Sequence, residues 1–203
     1  MKLFASLTSP YARKVRIILA EKSLPCELIV DSPWEANTRV PSVNPLGKVP
    51  ALETDAGEIF FDSPVIAGYI ETLDAAPKLL PADPLERVRV RQIEALADGV
   101  TDAAVTALLE SRRPEGLRSE PEIDRQMDKI DRALDALEAR ASGRDWMYGN
   151  AMSLGDIAVA VALGYLDLRF PQHEWRREHP SLAALARRMF ARSSFTTTKP
   201  PVG

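Results

Sequence analysis

The sequence predicts a small mixed α/β domain followed by an all-α helical bundle, and three of its features predict that order. Up to about residue 75 the apolar runs are short and change period from one element to the next. From residue 85 onward they keep a helical period almost to the end. Between the two, Ala76-Pro77-Lys78-Leu79-Leu80-Pro81-Ala82-Asp83-Pro84 holds three prolines in nine residues, a composition that sustains neither helix nor strand. The predicted division is a first domain over 1–75, a linker over 76–84 and a helical domain over 85–203.

In the first domain Lys2 to Ser6 reads as a strand. Pro10 to Lys22 reads as an amphipathic helix with Val15, Ile18 and Leu19 on its inner side, and Cys26 to Val30 as a second strand. Strand, helix and strand at this spacing predict a parallel pair joined by a crossover helix. Ala51 to Thr54 and Glu58 to Phe61 flank Asp55-Ala56-Gly57, which reads as a hairpin turn. Ser63 to Leu73 closes the domain as a helix carrying Val65, Ile66, Tyr69 and Ile70. A mixed sheet with helices on its faces accommodates this order.

Beyond the linker, Leu85 to about Arg112 places Leu85, Val88, Leu96, Val100, Ala103 and Ala107 at helical spacing. Glu122 to Arg140 repeats the signal with Ile123, Met127, Ile130, Leu134 and Leu137, behind Ser119 and Glu122 in the capping-box relation. Ser153-Leu154-Gly155-Asp156 has the same spacing with Asp in place of Glu, and opens Ile157 to Leu168, apolar on nearly every side. Such a helix belongs in the middle of a bundle, where its first N–H groups need Ser153 and Asp156 as partners.

Composition narrows the function. With 45% apolar and 27% charged residues the 203-residue chain reads as a folded globular protein. Its net charge of -3 is not the sum of a basic half and an acidic one: seven basic and ten acidic residues precede residue 76, nineteen of each follow. Neither nucleic acid nor an anionic membrane is expected as a partner. The start lacks a long apolar run, and the most apolar segment, Ile157 to Leu166, is half the roughly 20 residues of a membrane span. The expected location is the cytoplasm. Cys26, the only cysteine, reads as a buried inert thiol, and His173 and His179 have no partner at metal-ligand spacing, so no metal is expected. The pairs Arg112-Arg113, Arg176-Arg177 and Arg187-Arg188 read as solvated faces.

Three segments of the first domain gather polar groups at element ends. Thr8-Ser9-Pro10-Tyr11 stands at a helix mouth, where Ser suits the N-cap, Pro the first helical position, and the helix dipole favours negative charge. Asn44-Pro45-Leu46-Gly47-Lys48-Val49-Pro50-Ala51-Leu52 is a turn-rich approach to a strand, and composition alone predicts a trans Val49-Pro50 bond. Phe61-Asp62-Ser63-Pro64 is another helix mouth, suited to a carboxylate.

In this order and register the three segments, with Ser153 to Asp156 and the closing His179-Pro180-Ser181-Leu182, resemble the glutathione transferase family over essentially the whole chain. The resemblance implies a thioredoxin-like N-terminal domain, an all-helical C-terminal domain and a homodimer. It implies a serine-type enzyme, because the family's serine and cysteine branches carry the hydroxyl or thiol at the place of Ser9. The tyrosine branch carries its phenol earlier, where this chain has Ala5 and Ser6. Thr8 is the alternative hydroxyl, and Tyr11 a pocket wall.

The resemblance further implies that Val49, ahead of a cis Pro50, pairs its backbone with the cysteinyl unit of glutathione. Asp62 and Ser63 receive the γ-glutamyl end, with Ser63 and its N–H on the carboxylate, although Asp62 is one methylene shorter than the family's usual Glu or Gln. Lys48 either reaches the glycine carboxylate or is a solvent-exposed turn lysine. Glutathione is then co-substrate, its thiolate attacking a small hydrophobic electrophile near Thr101, Ala104 and Leu108, in a conjugating, isomerising or dehalogenating reaction that serves detoxification. The alternative is a transferase-fold interaction protein similar to the stringent starvation regulators, without conjugating activity.

Overall fold

β1 (Lys2–Ala5) is the strand around which the first sheet is built. It pairs parallel with β2 (Glu27–Val30) and antiparallel with β3 (Ala51–Glu53), which pairs antiparallel with β4 (Ile59–Phe60). The order is β2-β1-β3-β4. The computed structural model describes residues 1–201, and the chain divides into two units, Met1–Leu79 with the segment from Arg192 onward, and Leu80–Ala191.

α1 (Pro10–Glu21) makes the crossover from β1 to the parallel β2, and α3 (Ser63–Thr72) follows β4 and packs on α1. Their inner faces bury Ala12, Val15, Ile18 and Leu19 on α1 and Ile66, Ala67 and Ile70 on α3. The short α2 (Val40–Val43) lies between the two predicted strand pairs, where the sequence predicts no element, and is too brief to show a period. Cys26 departs from expectation. It precedes β2 and is only half-buried, because β2 is an edge strand with Leu28 and Val30 exposed. Burial still pushes its thiol above the ordinary value, against the nearby N-terminal ammonium.

In the second unit α4 (Pro84–Ser111) packs against both α5 (Glu120–Ala141) and α6 (Leu154–Arg169), followed by α7 (Trp175–Glu178) and α8 (Pro180–Phe190). Pro84 is the first residue of α4, not the last of the linker. Proline needs no N–H there, and Asp83 caps the helix by accepting the N–H of Glu86 at 2.8 Å. α6 is buried from Leu154 to Leu163. Gly155 permits its approach to α4: a Cβ there would lie 2.9 Å from Ile93 Cγ2. Arg176 and Arg188, expected on solvated faces, also lie over tryptophan rings, Arg176 at 4.3 Å from the centroid of Trp175 and Arg188 at 5.2 Å from that of Trp146.

The predicted helical domain ran to residue 203, but the segment from Arg192, including α9 (Ser193–Thr197), packs with the first unit. The reason is at the last turn of α1. Glu21 accepts Arg192 Nε and Nη2, both at 2.7 Å, and the hydroxyl of Ser194. Lys22, fully buried at its side chain, donates to the carbonyls of Ala75 at 2.9 Å and Pro77 at 2.6 Å and pairs with Glu71 at 2.8 Å. Adjacent residues of one helix thus hold the chain where it leaves the unit and where it returns. A helical period records that a segment is helical, not which unit it packs on.

Candidate active site

The strand register brings the three polar segments together. Phe4 lies opposite Ala51, and Leu52 opposite Phe60. These are the last pairs of the two ladders at the same end, next to the segments that carry Ser9, Pro50 and Asp62. The residues leading to Ser9, the Val49-Pro50 pair and the Asp62-Ser63 pair therefore leave the sheet at one end.

Ser9 is the N-cap of α1, with extended backbone, and its Oγ accepts the N–H of Ala12 at 3.3 Å. A hydroxyl both accepts and donates, so capping leaves the Ser9 proton unused. Capping and donation are therefore compatible in one side chain. Thr8 is differently placed, its Oγ1 3.3 Å from Ser6 Oγ.

Asn44 braces the second segment from a buried position, a role its place in a turn-rich stretch did not disclose. Its Nδ2 donates to the carbonyl of Lys48 at 2.8 Å, and its Oδ1 accepts the N–H of Leu46 at 3.0 Å. Gly47, at φ +63, lets the loop turn, and its N–H bonds the Asn44 carbonyl at 2.8 Å. The Val49-Pro50 peptide is cis, where composition alone predicted trans. Among the described residues neither the N–H nor the carbonyl of Val49 has a backbone partner. Lys48 is exposed, with no acidic partner among the described residues.

Asp62 is the N-cap of α3, and its carboxylate accepts the N–H of Ser63. That N–H, assigned to the ligand by the resemblance, is held by Asp62 in this structure. The Ser63 hydroxyl is different: the residue is fully buried, and Oγ has no hydrogen-bond partner among the described residues. Buried polar groups are almost always paired, so this unpartnered hydroxyl in the first turn of α3 singles Ser63 out as a candidate site residue. On α4, Thr101 and Ala104 are buried, with the Thr101 hydroxyl on the Ala97 carbonyl at 3.1 Å, and Leu108 is half-buried.

A four-stranded mixed sheet with polar helix mouths at one end, followed by a helical unit, defines a class that comparison with known proteins identifies. Residues 8–73 match the glutathione S-transferase N-terminal domain, and residues 120–188 its C-terminal domain. The chain belongs to the glutathione transferase family. It is 46% identical over 201 residues to YibF, an uncharacterized GST-like protein of Escherichia coli, with 99% of each chain covered. It is also 34% identical over 173 residues to maleylacetoacetate isomerase of Pseudomonas aeruginosa, 80% of each. Its structure matches that of a glutathione S-transferase from Methylobacillus flagellatus with glutathione bound, at a TM-score of 0.96 and 42% identity over 98% of this chain and 99% of that one.

Proposed function

We propose that the protein is a serine-type, glutathione-dependent transferase in which the Ser9 hydroxyl donates a hydrogen bond to the sulfur of bound glutathione. The observation that carries this reading is the bonding of Ser9: its Oγ accepts the N–H of Ala12 at 3.3 Å, and among the described residues its hydroxyl has no acceptor. A free thiol has a pKa near 8.5, so only about 3% is thiolate at pH 7. A hydrogen bond to sulfur at the positive end of α1 favours the charged form. The thiol proton passes to solvent, the sulfur lone pair forms the bond to carbon, and the leaving group departs with its electron pair. In an addition, the carbon beside the new bond takes up a proton instead.

In this reading Val49 pairs with the cysteinyl backbone, the Ser63 hydroxyl and Asp62 hold the γ-glutamyl end, and Lys48 faces the glycine carboxylate. Support comes from the orphan hydroxyl of Ser63 and the unpaired backbone of Val49. The second substrate is a small hydrophobic electrophile, and the protein works in the cytoplasm as a detoxifying homodimer with neither nucleic acid nor membrane as partner. The exposed Leu46, Val65, Leu85 and Val88 support self-association, and the charge of -3 supports the reading without nucleic acid or anionic membrane.

The test is an ultraviolet difference titration of bound glutathione in the wild type and Ser9→Ala. A thiolate midpoint below that of free glutathione, lost in the variant, is expected. Glutathione bound with an unshifted midpoint refutes the role of Ser9. No binding at all, with stoichiometric capture of RNA polymerase, replaces the enzyme with an interaction protein.

A further inference from the structure

The C-terminal segment grips α1 at both ends. Near the start of the helix, Arg13 donates Nη2 to the Phe195 carbonyl at 3.2 Å, and its guanidinium lies 5.5 Å from the centroid of the Phe195 ring. At the last residue, Glu21 takes the bidentate fork of Arg192 and the hydroxyl of Ser194. Phe195 and Ser194 are buried, as is Arg13. One contact would leave α1 free to pivot. Two contacts eight residues apart, about 12 Å along the axis, fix both its rotation and its slide. The backbone N–H of Arg13 also closes on the Ser9 carbonyl at 3.0 Å, so the residue that holds Phe195 is bonded to the residue that caps the helix.

We propose that the segment from Arg192 to Phe195 is a positioning element for the Ser9 hydroxyl, with Arg192 and Phe195 as positioning residues that touch neither glutathione nor electrophile. The proposal rests on the donor role of Ser9 above. A hydrogen bond weakens steeply when its angle falls, and a displacement of about 1 Å in a reacting site costs on the order of 100-fold. A partly buried ion pair is poor evidence of stability, since well-packed apolar residues often serve as well. A bidentate fork supplies what they do not, a fixed orientation.

The experiment compares Arg192→Met with the wild type by three readouts: the thiolate midpoint of bound glutathione, glutathione affinity by calorimetry, and thermal unfolding. The midpoint is expected to rise by about one pH unit, a tenfold loss in the thiolate-to-thiol ratio. Turnover should fall through kcat while KM for glutathione stays near that of the wild type. Added to Ser9→Ala, the change should move the midpoint no further, because both act through one hydroxyl. A lowered unfolding temperature with an unchanged midpoint overturns the proposal and makes the segment a structural strut. Should Arg192→Met not fold, Glu21→Gln keeps the shape and removes the charge, and an unchanged midpoint there overturns it equally. If Ser9→Ala itself leaves the midpoint in place, the donor reading has failed. If Ser9→Ala raises it and the Arg192 variant does not, only the positioning role has failed.

Discussion

The two units begin helices with the same sequence device and use it to opposite ends. At the mouth of α6 the polar groups are closed on one another. The Asp156 carboxylate, fully buried, accepts the N–H of Met147 at 2.7 Å, the N–H of Ser153 at 2.8 Å and the Ser153 hydroxyl at 2.7 Å. At the mouths of α1 and α3 the bonding is incomplete: among the described residues the Ser9 hydroxyl accepts a bond but has no acceptor of its own, and Ser63 Oγ has no partner. A finished cap stabilises; an unfinished one is available to a ligand. The contrast lies in the bonding of each hydroxyl, which residue type does not reveal.

The strongest way to break this contrast is Asp156→Ala. It strands two buried backbone donors and a hydroxyl, each costing about 1–3 kcal/mol, so a total loss of roughly 3–9 kcal/mol is expected in urea unfolding. A loss below about 1 kcal/mol, the size of an ordinary exposed cap, would put α6 in the same class as α1. Next in size is Gly155→Ala, whose methyl would meet Ile93. Overpacking of this kind costs about 1–3 kcal/mol, and the double variant with Ile93→Ala should lose less than the sum of the two single changes.

Ser63→Ala sharpens the comparison from the other side. Removing an unpaired buried hydroxyl should leave stability unchanged or slightly raised, the opposite of Asp156→Ala. Glutathione affinity by calorimetry should nevertheless fall about 10- to 100-fold, the worth of a hydrogen bond to a charged group. A destabilised variant with intact affinity would show that Ser63 is structural.

Much of the fold was legible because it rests on local chemistry. The change of period near residue 75, the capping spacing of Ser119 with Glu122, and Ser153 with Asp156 all place elements to within a few residues. The convergence of Ser9, Val49-Pro50 and Asp62-Ser63 was legible only through the family resemblance, since it depends on which strands pair and in what register. The double hold of Glu21 and Lys22 on the chain crossings was not legible. Both residues look like the charged end of a surface helix, and their partners lie far along the chain. Asn44 was hidden for a related reason: its side-chain bonds stay within the loop, but nothing in the residue type says it is buried.

The smallest predicted effect is a difference in the direction of pH dependence between the two units. Glu21 is held below the ordinary value of 4.5, by the hydrogen bond from Arg192 and with help from Ser194, against the effect of burial. Asp156 is held above the ordinary value of 3.8, because burial outweighs its bonds from Met147 and Ser153. At Glu21 the unfolded chain binds the proton more readily, so its stabilisation is complete above 4.5 and is lost as pH falls through the lowered folded value. At Asp156 the folded chain binds it more readily. Its contribution is full below 3.8 and declines as pH rises through the raised folded value. Acid therefore loosens the hold of α1 on the C-terminal segment while relieving the cost of a buried charge at α6. Carboxyl-carbon resonances followed against pH should show Glu21 titrating below 4.5 and Asp156 above 3.8. In Glu21→Gln the acid-side loss of stability should shrink, and in Asp156→Asn the decline with rising pH should vanish. If the two carboxyls titrate together, the closed cap and the helix clamp are electrostatically alike, and the contrast between the units reduces to the hydroxyls of Ser9 and Ser63.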